Sequence, residues 1–142
     1  LTMTDFAPFI ALKDTPWAMV AHVVYSEYDA ELPASISSTM HEVIRNDLGY
    51  DGVLISDCIF MESLRGTLPE RVKQVLDAGS DIALHSHGDL AESEAAAKAA
   101  RPVTQATLDR IAAGNARLGN LKIDYRRAQE EIEAIFAEKL AA

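Results

Sequence analysis

Gly52-Val53-Leu54-Ile55-Ser56-Asp57 is an unbroken apolar run that ends in a hydroxyl and a carboxylate. A run with no polar residue at alternate positions has no solvent face, so it reads as a strand buried on both sides, the kind that parallel sheets use. Upstream, Trp17-Ala18-Met19-Val20-Ala21-His22-Val23-Val24-Tyr25 is apolar but for its histidine and follows Pro16, and it reads the same way. Downstream, Asp81-Ile82-Ala83-Leu84-His85 is a third such run. Each gap holds one helix. In the first, Ser38 or Thr39 is positioned to cap a helix carrying Met40, Val43, Ile44 and Leu48 on one side, with Gly49 as a left-handed stop. In the second, Thr67-Leu68-Pro69-Glu70 combines a cap, a first-turn proline and a capping-box glutamate, and Gly79 ends the helix after Ala78.

Strands alternating with helices in short units predict parallel pairing through right-handed crossovers. The spacing is specific: 35 residues separate His22 from Asp57, and 28 separate Asp57 from His85. A (β/α)8 barrel divides into units of about 31 residues, so three successive units of such a barrel are expected. Helical spacing continues over Asp89 to Ala100, over Thr104 to Leu118 (Leu108, Ile111, Ala112, Leu118) and over Tyr125 to Leu140 (Ile132, Ile135, Phe136, Leu140). The fold class is therefore α/β: the C-terminal portion of a TIM-type barrel over residues 1–118, then a helical tail over 119–142. Met3, Met19, Met40 and Met61 read as core residues. The chain opens on Leu1 rather than Met and enters patterned sequence at once, so a longer parent polypeptide is expected.

The 142 residues carry 13 Lys and Arg against 22 Asp and Glu, a net charge of −9. That balance, without a basic run, repels phosphate backbones and anionic lipid, so neither nucleic acid nor a membrane surface is an expected partner. No apolar stretch approaches the ~20 residues of a membrane helix. The single cysteine, Cys58, precludes an internal disulfide and agrees with a cytoplasmic location.

In parallel α/β folds reactive groups gather at the carboxyl ends of strands. Here those ends carry His22, Ser56 with Asp57, and His85 with His87. Asp57, following Val-Leu-Ile, is the foremost candidate, although an aspartate there also serves as a turn cap. His22 reads equally as a core histidine bonded to backbone. His85-Ser86-His87 has a spacing used by metal sites, so a metal-dependent hydrolase using His22, Asp57, His85 and His87 is one rival; a non-catalytic acidic α/β binding module is another. The main reading needs neither metal nor cofactor. Glu62, Glu70 and the Glu130, Glu131, Glu133 group read as solvated helix faces, and Cys58 as a small buried side chain.

Asp5-Phe6-Ala7-Pro8-Phe9, Met19-Val20-Ala21-His22-Val23-Val24-Tyr25, Pro33-Ala34-Ser35-Ile36-Ser37, Arg45-Asn46-Asp47-Leu48-Gly49-Tyr50-Asp51-Gly52-Val53-Leu54-Ile55-Ser56-Asp57 and Ala78-Gly79-Ser80-Asp81 follow in register. This succession resembles the bacterial β-N-acetylglucosaminidases of glycoside hydrolase family three, the NagZ-like enzymes of cell-wall recycling. The resemblance implies a retaining exo-hydrolase that removes terminal N-acetylglucosamine from muropeptides, with Asp57 as nucleophile and His22 and Met61 lining the sugar site. It also implies an acid/base loop and sugar-binding residues from earlier strands, which no segment here matches. The chain by itself is thus expected to be inactive, and its sheet edges to be covered by the missing barrel segment or by self-association. Cys58 stands where the family commonly has a second aspartate.

Overall fold

The computed structural model describes residues 4–118 and residues 126, 127, 129, 130 and 133. Its elements are α1 (Ala7–Ala11), β1 (Trp17–Val20), a 3-10 turn (Ala34–Ile36), α2 (Ser38–Glu42) running into a π-helical turn (Val43–Asp47), β2 (Val53–Cys58), α3 (Leu68–Ala78), β3 (Ile82–Leu84), α4 (Leu90–Ala99) and α5 (Gln105–Leu118). The three strands form one parallel sheet in the order β1-β2-β3. The chain is a mixed α/β structure built on that small sheet. The expected tail helix over Tyr125 to Leu140 is helical at the five described positions and otherwise lies outside the described residues, as does Met3.

Local signals explain most element ends. Glu70 accepts hydrogen bonds from the Thr67 N–H (2.7 Å) and the Thr67 hydroxyl (2.8 Å), which holds its carboxyl below the ordinary range and fixes the start of α3. The turn at Gly49 has φ +68°, and α3 ends at Gly79 with φ +125°, a conformation open to glycine. A Cβ at Gly79 would also lie 3.1 Å from the Cβ of His41. The N-cap of α2 is Ser37, whose Oγ accepts from the Met40 N–H (3.2 Å), rather than Ser38 or Thr39; Ser37 is itself held by Asp29 (2.6 Å) and so keeps an extended backbone.

Two apolar clusters cover one face of the sheet. The first joins Val20 and Leu54 to Met40, Val43 and Leu48 and to Phe6, which packs edge-on against Tyr25 and stacks on Tyr28. The second gathers Ile59, Leu64, Val72, Val75 and Leu76 with Ala96, and Ala83 of β3 packs against it. The expectation of a first strand over Trp17 to Tyr25 buried on both faces is corrected. β1 stops at Val20, and Met19 is 57% and Trp17 37% exposed. Beyond it, Ala21 and Val23 give their carbonyls to the Ser35 and Ala34 N–H groups, so backbone that would extend the ladder pairs with the 3-10 turn. Met61 is likewise exposed, leaving Met40 as the buried methionine among the described residues. In α5 the buried positions are Thr107 and Gly114, while Leu108 and Leu118 face outward.

The reason for that last inversion is Asp81, whose side chain is 3% exposed. Its Oδ2 accepts from the Leu54 N–H and Arg45 Nη2 (both 2.9 Å), and its Oδ1 from the Thr107 hydroxyl (2.8 Å) and Arg110 Nη1 (2.9 Å). Burial alone would raise this carboxyl, but the Leu54 N–H, Thr107 and the two guanidiniums outweigh it and hold it below its ordinary value. The carboxylate binds β2, the helix before it and α5 to the start of β3. Nearby, His41 is buried, with Nδ1–H donating to the Ser37 carbonyl and Nε2 accepting from the Ser80 hydroxyl (2.9 Å each). Burial pushes its pKa down, so it folds neutral.

Asp81→Asn is expected to cost about 3 kcal/mol, because the two partly buried guanidiniums of Arg45 and Arg110 lose the buried carboxylate they share; urea unfolding at pH 7 measures it. Both depressed groups bind protons more readily unfolded. Stability therefore falls as pH drops below 6.5 through His41, then again below 3.8 through Asp81. In His41→Gln the first decline should vanish and the second persist.

Candidate active site at the carboxyl ends of the strands

The three strands deliver their carboxyl ends to one rim, and β2 arrives there distorted. Its pairing with β3 is regular at Ile55 with Ile82 but shifts before Cys58 meets Leu84. Such a bulge re-aims the side chains around it. The fully buried Ser56 hydroxyl repairs the ladder, accepting from the Leu84 N–H (3.1 Å) and donating to the Asp57 carbonyl (2.7 Å). Asp57 is thereby presented at the strand end, half-buried, with Oδ1 accepting from the Cys58 N–H (2.7 Å). Among the described residues its Oδ2 accepts no hydrogen bond, which leaves one carboxylate oxygen for chemistry beyond the turn.

His22 lies past the end of β1 and engages both ring nitrogens. Nε2–H donates to the Cys58 carbonyl (3.0 Å), and Nδ1 accepts from the buried Ser35 hydroxyl. A carbonyl only accepts, so Nε2 carries the proton. His22 thus clamps the peptide that follows Cys58 while Asp57 holds the one before it. The Cys58 thiol accepts from the Ser86 hydroxyl (3.1 Å). Burial raises its pKa, but that hydrogen bond and the backbone N–H groups of Phe60 and Ser86 bring it below the ordinary thiol value.

The loop leaving β2 is gripped from α3. Arg71 Nη1 donates to the carbonyls of Ile59 (3.1 Å), Phe60 (3.3 Å) and Met61 (3.0 Å), and its Nε to that of Gly66 (3.0 Å). Met61 stands exposed on this loop, four residues past Asp57. At the end of β3, His87 stacks on Phe60 and gives Nδ1–H to Glu92 (2.9 Å), while both ring nitrogens of His85 are buried without a partner among the described residues. The His85 and His87 rings are 6.4 Å apart and tilted. Among the described residues no group of three or more His, Cys, Asp and Glu side chains is arranged to hold a metal ion. His22, with its nitrogens already committed, does not join His85 and His87 in the set that the metal-hydrolase rival required.

Sequence reading missed Arg71, Ser35 and Phe60. Ser35 falls inside a quoted motif, but nothing along the chain links its hydroxyl to a histidine 13 residues away. Arg71 carries no signal along the chain, because carbonyls freed by an irregular loop are invisible before that loop has a shape. Two cavities lie away from the rim. One of about 340 Å³ sits by Pro16, Gly52 and Arg110; one of about 520 Å³ runs along β1 beside Phe9, Leu12 and Trp17. No helix among the described residues is long and apolar enough to cross a membrane.

Residues 1–120 match the family described as "Glycosyl hydrolase family 3 N terminal domain". A β-hexosaminidase of Bordetella pertussis (strain Tohama I) is 42% identical over 93 residues, which cover 62% of this chain and 26% of the relative. One of Xanthomonas campestris pv. campestris (strain B100) is 35% identical over 112 residues, covering 76% of this chain and 34% of the relative. The solved glycoside hydrolase family 3 β-N-acetylglucosaminidase from Paenibacillus sp. str. FPU-7 superposes with a TM-score of 0.65 at 29% identity, over 79% of this chain and 23% of that one. The β-N-acetylglucosaminidase from Thermotoga maritima gives 0.58 at 29% identity, over 81% and 28%. The chain spans between about a quarter and a third of the length of the two curated relatives. With its parallel sheet and its Ser-Asp strand end, this chain belongs to glycosyl hydrolase family 3.

Proposed function

We propose that this chain forms part of a retaining exo-β-N-acetylglucosaminidase in which Asp57 is the nucleophile. The observation that carries the reading is the half-buried Asp57 carboxylate at the bulged end of β2, with one oxygen held by the Cys58 N–H and the other open, in a chain of this family. In a retaining mechanism that open oxygen attacks the anomeric carbon as the glycosidic C–O bond breaks. The leaving oxygen takes a proton from a general acid about 5 Å from the nucleophile. Water then gives its proton to the same group and displaces Asp57 from the covalent glycosyl-enzyme.

No motif in this chain supplies that acid/base group, so it belongs to another part of the enzyme. The three strands are read as consecutive members of an eight-stranded barrel. Two features support this: the strands are parallel and in consecutive order, and the side chains of Trp17 and Met19 on β1 stand exposed. The free sheet edges are then covered by the rest of the barrel or by a second copy. Residues 1–118 belong to the barrel and 119–142 to a helical tail. Muropeptide-derived N-acetylglucosaminides in the cytoplasm are the proposed substrates, which suits a chain of net charge −9 with a thiol beside its site. Met61 lines the sugar pocket. His22 reaches the sugar site through the Cys58 carbonyl it clamps.

In the natural polypeptide that carries these residues, Asp57→Asn should lower hydrolysis of an aryl β-N-acetylglucosaminide on the order of 10⁴-fold with unchanged circular dichroism; retained turnover would move the nucleophile elsewhere. His22→Ala should lower kcat by up to about 100-fold, because the turn bearing the nucleophile loses its clamp. It should also speed the reaction of Cys58 with a thiol reagent. An unaltered kcat would leave His22 a purely structural group.

A further inference from the structure

The Ser56 hydroxyl is fully buried, and a buried hydroxyl is satisfied when it both accepts and donates. It accepts from the Leu84 N–H (3.1 Å) and donates to the Asp57 carbonyl (2.7 Å). That carbonyl belongs to the peptide group whose other end is the Cys58 N–H, and the Cys58 N–H donates to Asp57 Oδ1 (2.7 Å). Three hydrogen bonds therefore run in series from the backbone of β3, through one hydroxyl and one peptide group, to the carboxylate at the end of β2. In such a chain each bond strengthens the next, because a carbonyl that accepts a hydrogen bond draws electron density from its own N–H. Among the described residues the Cys58 N–H is the one donor to this carboxylate.

The held oxygen and the open one have different tasks in a retaining cycle. When Oδ2 bonds to the anomeric carbon, Oδ1 becomes the carbonyl oxygen of a glycosyl ester and the carboxylate charge is lost. Water then bonds to that carbon and gives its proton to the general base. The bond from carbon to Oδ2 breaks, and its electron pair returns the charge to the carboxylate, part of it on Oδ1. A donor on Oδ1 thus favours the charged carboxylate over the ester. It makes Asp57 a better leaving group at a small cost in its strength as a nucleophile.

We propose that Ser56 is a positioning residue for the second half of the reaction: through the peptide between Asp57 and Cys58 it orients and strengthens the hydrogen bond on Oδ1, and so speeds release of the sugar from Asp57. This rests on the reading of Asp57 as nucleophile and adds the group that sets how long the glycosyl ester lives. A hydroxyl that served the bulged ladder alone would matter to folding, and its loss would slow both halves of the reaction alike.

The test uses the natural polypeptide and an aryl β-N-acetylglucosaminide with an activated leaving group. Rapid acid quench and mass spectrometry of the peptide that carries Asp57 follow the ester as it forms and decays. Ser56→Ala should slow breakdown of the ester about fivefold and leave its formation unslowed; the factor is modest because polarisation adds a fraction of one bond's strength. A larger share of the enzyme is then caught as the ester than in the parent. Ser56→Cys keeps the size of the side chain with a weaker donor. It should shift the balance in the same direction, and it carries the test where Ser56→Ala does not fold. Accumulation no greater than the parent's in a folded variant overturns the proposal, as does equal slowing of formation and breakdown. Either result leaves Asp57 as nucleophile. An ester found on another residue, or turnover kept in Asp57→Asn, overturns the nucleophile reading and this inference with it.

Discussion

The buried carboxylate of Asp81 is the constraint from which the rest of this structure follows. A charge with a side chain 3% exposed is tolerable where every lone pair is used, and here four donors from three separate segments converge on it. One of those donors is the Leu54 N–H in β2. The register of β2 is thus tied to the start of β3 by a side chain as well as by the ladder. Three residues further along the same strand stands Asp57. A slip of one residue would turn Asp57 to the opposite face, so a group at one end of the sheet helps to set where the Asp57 carboxylate stands at the other.

The two ends of the sheet use their polar groups differently. At the amino ends, the polar atoms of Asp81 and His41 are all partnered, and Arg45 and Arg110 each donate to the Asp81 carboxylate. At the carboxyl ends the matching is incomplete: Asp57 keeps an open oxygen, both ring nitrogens of His85 lack partners among the described residues, and Phe60 and Met61 face solvent. Incomplete satisfaction costs stability, and parallel α/β proteins concentrate that cost where ligands bind. The Ser56 hydroxyl and the His22 clamp keep the cost local by supplying the hydrogen bonds that the bulge removes.

How far the sequence could be read depended on the range of the interaction involved. Glu70 capping Thr67 and the stops at Gly49 and Gly79 are local, and they were legible. The alternation of strand and helix, and the placing of Asp57 at a strand end, came from runs under ten residues long. Ser35 with His22, Arg71 with three loop carbonyls, and Asp81 with α5 each join residues 10 to 29 positions apart, and no local pattern announces them. The buried face of α5 shows the difference well. Helical periodicity pointed to Leu108 and Leu118, yet the helix turns Thr107 and Arg110 inward because a buried carboxylate waits there.

The amino-acid sequence by itself determined the order of the elements, the parallel character of the sheet and the identity of the carboxylate at its rim, since propensity, capping and apolar runs act over a few residues. Tertiary structure decided the length of β1, the bulge that aims Asp57, the tautomer of His22 and the stacking of His87 on Phe60. Each of those depends on a donor or a surface brought in from a distant segment, and that geometry exists once the chain has folded.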